Sequence, residues 1–182
     1  MSRASLAIFV SLFVFLTGCS SSGGGKSYAD LAAEGQTLIA RFQSQGPTPI
    51  GSMPTGSAVY NGVAAISSQT FNVNSAIANP EALGTVTLNA NFDSGSISGS
   101  MTNFVGRDDS SFGGSINLNN GSISGNVFGA DLVGQANVSG QNVNIVGDLA
   151  GVFVGTAAQG IYAEFNGFGG GVPLAGAIGA ER

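Results

Sequence analysis

The chain of 182 residues contains no histidine, no tryptophan and a single cysteine, Cys19. Without histidine, Ser-His and Cys-His nucleophile arrangements cannot form, and haem ligation through histidine is excluded. One cysteine cannot close a disulfide within the chain. The acidic residues are mostly scattered singly, so paired carboxylates for acid-base catalysis are not evident. We therefore expect a protein that is not an enzyme and that uses no cofactor.

Basic residues are also scarce. Five Lys and Arg stand against ten Asp and Glu, which gives a formal net charge of -5. Because binding to phosphates needs clustered cations, we expect no nucleic-acid partner. Hydrophobic residues make up 43% of the chain and charged residues 8%, with 30 glycines. This composition is too apolar for a disordered chain and too polar for a polytopic membrane protein. It indicates one Gly-rich β domain.

The N-terminal residues have the pattern of a targeting segment. A basic residue, Arg3, precedes an apolar run over 6–16 that is too short to span a membrane as a stable anchor. The run ends in a four-residue motif that resembles the lipobox of bacterial lipoproteins: Leu16, Thr17, Gly18 and Cys19. The resemblance implies a signal peptide at 1–18 and lipid, palmitate included, on Cys19. An ordinary secretory peptide followed by a free thiol is the alternative. Ser20 at the next position resembles lipoproteins sorted to the outer membrane.

Two segments follow the motif before the β pattern begins. Residues 19–27 are rich in Ser and Gly, and we interpret them as a flexible tether. Residues 28–45 are predicted to form an amphipathic helix, because Ser27 and Asp30 suit an N-terminal capping pair. Its apolar residues fall on one face: Leu31, Leu38, Ile39 and Phe42. A region with three prolines at 46–56 then breaks the helix.

Beyond this region, nearly every segment alternates between apolar and polar residues with a period of two. The sequence GSISG occurs twice, at 95–99 and 121–125, and we interpret each copy as the turn and return strand of a hairpin. Gly99 and Gly125 are then predicted to face inward, where the sheet bends. The spacing predicts an all-β fold, a small antiparallel barrel of eight or nine short strands. Its interior is predicted to be filled by Phe92, Met101, Leu118, Ile123, Val127, Ile145, Leu149 and Phe153.

Two other β architectures are less compatible with the sequence. A transmembrane barrel would show aromatic girdles and strands of about ten residues, and this chain has three Tyr and no Trp. A β-solenoid needs at least three repeats, and only two copies are clear.

Several segments resemble the β-barrel domain of transferrin-binding protein B and related surface lipoproteins. They are GSAVYNGVAAI, GVFVGTAAQGIYAEFNG and the terminal GAIGAER, and the resemblance covers 57–182. The late-strand pattern of the family maps onto Phe153, Gly155, Ala158 and Gly160. The chain departs from the family at Ile178 and Glu181, where Phe and Lys are typical. The larger members of the family carry two lobes, each with a handle domain, whereas we expect a single barrel without a handle domain here. The resemblance therefore implies fold and location more than transferrin binding.

These features together predict a binding protein anchored by lipid to the outer membrane, with the barrel exposed at the cell surface. A protein or small-molecule ligand is expected to contact hairpin loops on the rigid barrel. A structural or docking lipoprotein that faces the periplasm is the alternative, and a lipocalin-like carrier is less compatible with a filled interior.

The predicted binding loops are 67–81, 107–111 and 166–173. The candidate contact residues in these loops are Phe71, Ile77, Arg107, Asp108, Asp109 and Phe168. For Phe71 the alternative is that its side chain only covers an open end of the barrel. The pair Asp108 and Asp109 supplies too few oxygen ligands for a hard cation, so no metal site is expected.

Overall fold

The computed structural model describes residues 25–138 and 140–182. The predicted signal peptide, Cys19 and most of the tether therefore lie outside the described residues. The chain forms helix α1 (Tyr28–Gln45), a short 3-10 helix (Ile50–Ser52) and helix α2 (Val73–Ala78). Within the described part, no helix has the length and apolarity needed to cross a bilayer. The strands are β1 (Ser57–Ser68), β2 (Ala82–Asn91), β3 (Ser96–Gly106), β4 (Ser111–Ser124), β5 (Val127–Val138), β6 (Gln141–Val154), β7 (Gly160–Gly169) and β8 (Val172–Glu181).

The eight strands form a closed antiparallel barrel. Each strand pairs with its neighbours along the chain, and β8 closes the barrel on β1. The predicted all-β class, the eight-stranded barrel and the N-terminal helix are therefore confirmed. The strands are longer than predicted, from 10 residues in β2 to 14 in β4. The pairing continues beyond the apolar centres of the strands through the polar residues at their ends.

The interior of the barrel is a packed core. The phenyl ring of Phe153 contacts three other aromatic rings in this core, with ring centroids 5.9 Å from Tyr60, 5.2 Å from Phe92 and 5.1 Å from Phe128. All the predicted interior residues except Val127 belong to this cluster or pack against it. The side chain of Val127 is instead 48% exposed. The largest fully buried side chains besides Phe153 include Tyr60, Phe165, Leu88, Met101, Ile116 and Leu132.

The two copies of GSISG have different structures. The first copy follows the prediction: Gly95 ends the turn after β2, and Gly99 pairs with the core residue Leu88 on the inner face. The second copy was predicted wrongly, because β4 continues through it and the turn is formed by Gly125 and the next residue. Gly125 is exposed with a φ of +63° instead of facing inward.

A β-bulge explains the wrong prediction for the second copy. Asn120 has a φ of +52°, and the register between β4 and β5 shifts between Asn119 and Ser122. A left-handed Asn followed by Gly is a strong hairpin signal. The same conformation also occurs where a strand bends at a bulge. Local sequence alone does not separate these two structures.

Helix α1 lies on the outer wall of the barrel. Its N-terminus has the predicted capping box, in which Ser27 accepts from the backbone of Asp30 and the Asp30 side chain accepts from the backbone of Ser27. Leu31 packs in a cluster with the outward side chains Val63, Leu83 and Val105. A second cluster joins Leu38 and Phe42 to Val154. The apolar face of the predicted helix thus covers part of the barrel wall.

Candidate binding site at the loop end of the barrel

All the predicted binding loops lie at one end of the barrel, because alternate connections of an antiparallel meander share an end. The connections β1–β2, β3–β4, β5–β6 and β7–β8 form this end, which we call the loop end. The N-terminus of α1 reaches it as well, since the Tyr28 amide donates a 2.8 Å hydrogen bond to Asp109 Oδ1. The C-terminus of α1 lies at the opposite end, where the Thr48 amide donates to the Phe153 carbonyl at 2.8 Å.

Phe71 and Phe168 contact each other at the loop end. Their ring centroids are 5.4 Å apart and the rings meet edge to face at 81°. Phe71 is 52% exposed and Phe168 is 46% exposed. The sequence predicted both residues as contacts in separate loops, and the structure brings them together. Two large aromatic side chains that stay half exposed, one on a strand and one in the adjoining connection, form a typical recognition feature.

The predicted loop 166–173 is mostly strand. Phe168 lies on the outer face of β7, and the turn before β8 consists only of Gly170 and Gly171. Both glycines have positive φ, +59° and +83°, which suits the tight reversal. The position of Phe168 is therefore fixed by the strand pairing and not by a mobile loop.

The predicted loop 67–81 is also more ordered than expected. Its first two residues belong to β1, and helix α2 (Val73–Ala78) packs on the outer wall against β8, β1 and β7. The Asn72 side chain caps α2 by accepting from the Ser75 amide at 3.1 Å, and Ala76 is fully buried. A six-residue helix is too short to give a helical period, so Asn72 was its only sequence signal.

Ile77 does not join the aromatic pair. It is half-buried and lines a groove of about 210 Å³ between α1 and α2. Small residues form part of the lining, among them Ala65 and Gly179. Tyr162 lies at the side of the groove and donates its hydroxyl to Glu164 Oε1 at 2.7 Å. Burial, together with the hydrogen bond and the charge of Glu164, raises the pKa of Tyr162.

The charged residues of the predicted loop 107–111 hold the loop end together. Arg107 Nε donates to the Pro80 carbonyl at 2.8 Å, and its Nη2 donates to the carbonyl of Asn79. Asp108 accepts from the hydroxyl and amide of Ser110, and these hydrogen bonds lower the pKa of the Asp108 carboxyl. With Asp109 bound to the α1 N-terminus, these side chains are occupied by structural contacts. Among the described residues, no group of three or more His, Cys, Asp or Glu is placed to hold a metal ion.

Sequence reasoning missed an exposed apolar row on the outer wall. Val133 on β5 lies directly opposite Val146 on β6, and Val146 lies opposite Phe168 on β7. Val133 is 45% exposed and Val146 is 52% exposed. The available signal was a break in alternation, since each valine directly follows a buried apolar residue, Leu132 or Ile145. That doublet places one apolar side chain on each face of the strand.

Comparison with known proteins identifies the barrel. Residues 53–182 match the family model described as the C-lobe and N-lobe beta barrels of Tf-binding protein B. A search of curated proteins found no match.

Two solved structures of transferrin binding protein B are similar to this chain. A double mutant from Haemophilus parasuis Hp5 has 20% sequence identity and a TM-score of 0.50, over 74% of this chain and 27% of that chain. The isotype 1 protein from serogroup B Neisseria meningitidis has 17% identity and a TM-score of 0.49, over 76% of this chain and 27% of that chain. This chain thus spans about a quarter of their length. Because the family model covers well over half of the sequence, the chain belongs to the family of transferrin-binding protein B β-barrels.

Proposed function

We propose that the chain is a binding module anchored by lipid to the outer membrane and exposed at the cell surface, with no catalytic role. Its partner contact lies at the loop end and is carried by the edge-to-face pair of Phe71 and Phe168. Three features support this function: membership of a family named for a binding protein, the resemblance of residues 16–19 to a lipobox, and the exposure of the aromatic pair. The aromatic pair is the observation that carries it.

The aromatic pair has the physical properties of a binding anchor. Complete burial of a Phe side chain contributes about 1.5–3 kcal/mol, so covering two half-exposed rings would also supply about 1.5–3 kcal/mol. Phe168 is held by strand pairing on both sides, to Val146 and to Pro173. A contact that is already ordered loses little conformational entropy on binding. Both properties favour aromatic residues at the centres of interfaces.

The proposed anchor places this contact near the membrane. Cys19 precedes Ser27 by eight positions, and an extended chain of that length spans at most about 28 Å. Ser27 caps α1 at the loop end. The aromatic pair therefore lies at the end of the barrel that the lipid anchor keeps closest to the bilayer, within reach of a partner that is itself bound to the outer membrane.

We propose a protein ligand for this site without assigning transferrin. The names of the solved relatives indicate transferrin as their ligand. This chain spans about a quarter of their length, so their ligand is not assigned to it.

Location and anchoring are tested on intact cells. Surface exposure predicts that protease added to intact cells removes the barrel, as detected by immunoblot. Replacing Cys19 with Ala should abolish incorporation of labelled palmitate and release the folded chain from the outer-membrane fraction. A barrel that resists protease until the outer membrane is permeabilised would instead support the lipoprotein that faces the periplasm.

The contact site is tested with matched exposed residues. A partner is first captured by co-purification of the full chain from solubilised membranes and identified by mass spectrometry. Phe71→Ser and Phe168→Ser should lose it. Val127→Ser should retain the partner, because Val127 is equally exposed but follows the turn at the opposite end of the barrel. Equal retention by all three variants would remove the aromatic pair from the site.

A further inference from the structure

The outer wall of strands β5, β6 and β7 carries an apolar row beside an acidic pair. The row consists of Val133, Val146 and Phe168, each directly opposite the next across neighbouring strands. Since paired strands lie about 4.8 Å apart, the row is about 10 Å long. Phe71 lengthens it by its contact with Phe168. Contiguous exposed apolar side chains of this kind mark an interaction surface.

An uncompensated acidic pair borders the row. Asp131 lies opposite Asp148, two positions along each strand from Val133 and Val146, so all four side chains share the outer face. Both carboxylates are exposed. Like charges directly opposite each other destabilise a sheet. The Asp131 carboxylate accepts a 2.7 Å hydrogen bond from the neutral Asn120 amide, which does not offset its charge.

The part of the sequence that forms this wall contains no basic residue. Residues 111–169 contain no Lys or Arg, although they include three acidic residues, Asp131, Asp148 and Glu164. The basic residues that the structure describes make contacts elsewhere. Lys26 pairs with Glu34, Arg41 pairs with Glu181, and Arg107 and Arg182 donate to backbone carbonyls.

We propose that the wall patch, defined as Val133, Val146, Phe168, Asp131 and Asp148, binds an amphipathic helix of a partner protein whose apolar stripe is flanked on one side by Lys or Arg. The proposal rests on the proposed binding function, because Phe168 belongs to both surfaces. Residues i and i+7 of a helix lie about 10.5 Å apart, which matches the length of the row. Cations along one flank would neutralise the carboxylates of Asp131 and Asp148 while the stripe covers the row.

The charge pattern disfavours two other occupants. A second copy of this chain presents the same wall without a cation, so a wall-to-wall dimer would leave all the carboxylates of Asp131 and Asp148 unneutralised. An anionic lipid surface would be repelled by the same carboxylates. A basic amphipathic helix is the occupant that both covers the exposed apolar row and neutralises the acidic pair.

The test uses the full chain in phosphatidylcholine nanodiscs and two synthetic stapled helices of about 15 residues, long enough for the stripe to cross the row. The helices share one apolar stripe and differ only in Lys or Glu along one flank. Binding is followed by fluorescence anisotropy of the labelled peptide, with empty nanodiscs as background. We expect the Lys helix to bind about tenfold or more tightly than the Glu helix.

Variants separate the two parts of the patch. Asp131→Asn combined with Asp148→Asn should remove most of the preference for the Lys helix and raise the melting temperature of the free chain. Val146→Ser should weaken binding of both helices. Glu34→Gln and Val127→Ser are the matched controls, since they remove a partly exposed acid and an exposed valine from other surfaces, and both should bind like the unaltered chain.

Several results would overturn the proposal. They are equal or undetectable binding of the two helices, a Lys preference that survives the Asp131 and Asp148 changes, loss of binding in a control variant, or association of two copies that Val146→Ser abolishes. Failure of surface exposure in cells would leave the helix measurements unchanged. The two proposals therefore fail separately.

Discussion

The hydroxyl of Tyr60 donates a 2.7 Å hydrogen bond to the carbonyl oxygen of Ala158. Tyr60 is fully buried in the barrel core, whereas Ala158 belongs to the connection between β6 and β7. Ala157 and Ala158 have φ values of +53° and +57°, a region that non-glycine residues seldom adopt. Arg182 donates to the Ala157 carbonyl at 2.6 Å. This strained connection is thus held from the core by Tyr60 and from the chain end by Arg182.

Tyr60→Phe should destabilise the protein by about 1–3 kcal/mol, because it leaves the buried Ala158 carbonyl without its donor. The midpoint of urea unfolding measures the change. An unaltered dependence of the free energy of unfolding on urea concentration would show that the denatured state is unchanged. Tyr162→Phe is the control. It removes a hydrogen bond from a partly buried phenol to the exposed Glu164 and should change stability by less than about 0.5 kcal/mol, because both groups can still reach water. Equal effects of the two changes would contradict a special role for Tyr60.

Tyr60 should also make the fold sensitive to alkali. Burial raises the pKa of Tyr60 from 10.0 to about 12. In the unfolded chain this phenol ionises first, so its contribution is complete below pH 10 and is lost as the pH rises towards 12. One such group lowers the free energy of unfolding by up to about 1.4 kcal/mol per pH unit. Urea unfolding of the unaltered chain and Tyr60→Phe across this window measures the difference. If the free energy of unfolding fell equally steeply with pH in both proteins, Tyr60 would be excluded as a source of the alkali sensitivity. Tyr162 adds to this sensitivity in both proteins, because its pKa is also raised.

The barrel fold could be predicted from the local sequence pattern. Alternation from Val86 to Phe92 places the inner face correctly, because side-chain direction in a strand follows from parity alone. The bulge at Asn120 could not be predicted from the local sequence, since a left-handed Asn before Gly occurs in a bulge as well as in a turn. Which structure forms depends on the pairing of β4 with β5, and that pairing is not local.

The candidate site was predictable only in part. Phe71 and Phe168 were identified as contacts, but their proximity depends on the barrel register and on the path that α2 gives to the connection. Val133 and Val146 were missed for a similar reason. The alternation of side chains along each strand indicates that both valines point outward. Their alignment into one row, however, follows from the register of β5 with β6.

Gly99 should not tolerate a side chain. A Cβ atom at this position would lie 2.2 Å from the Thr87 carbonyl oxygen and 2.8 Å from Leu88 Cδ2. The carbonyl belongs to the paired strand β2 and cannot move without disturbing the ladder, so Gly99→Ala should cost about 1–3 kcal/mol.

A second glycine supplies the control for Gly99. A Cβ atom at Gly113 would come no closer than 3.8 Å to its nearest neighbour, on Asn137. Gly113→Ala should therefore be neutral or stabilise by up to about 1 kcal/mol. Ser98→Val, on the exposed outer face, should also be tolerated. The prediction fails if Gly99→Ala melts at the same temperature as Gly113→Ala.

Arg107 should control the order of the connection that carries Phe71. Arg107→Met keeps much of the side-chain length but removes the donors to the carbonyls of Asn79 and Pro80. Hydrogen exchange should then accelerate in residues 69–81 and stay unchanged in the strands. Asp108→Asn is the control, because Asp108 bonds to Ser110 within its own turn. Unchanged exchange in Arg107→Met would mean that packing of α2 alone orders the segment.

The contact between Phe71 and Phe168 should be measurable as a coupling energy. Edge-to-face aromatic pairs contribute about 0.5–1.5 kcal/mol beyond their buried area, so Phe71→Ala and Phe168→Ala together should destabilise by less than the sum of the single changes. The free energies of unfolding in urea of the unaltered chain, the two single variants and the double variant form a double-mutant cycle that gives this coupling energy. Phe71→Ala with Val127→Ala is the additive control, because Val127 begins β5 at the opposite end of the barrel. Additivity in the aromatic cycle would mean that Phe71 is not held against β7 in solution. The ordered contact surface would then consist of the outer wall at Phe168 alone.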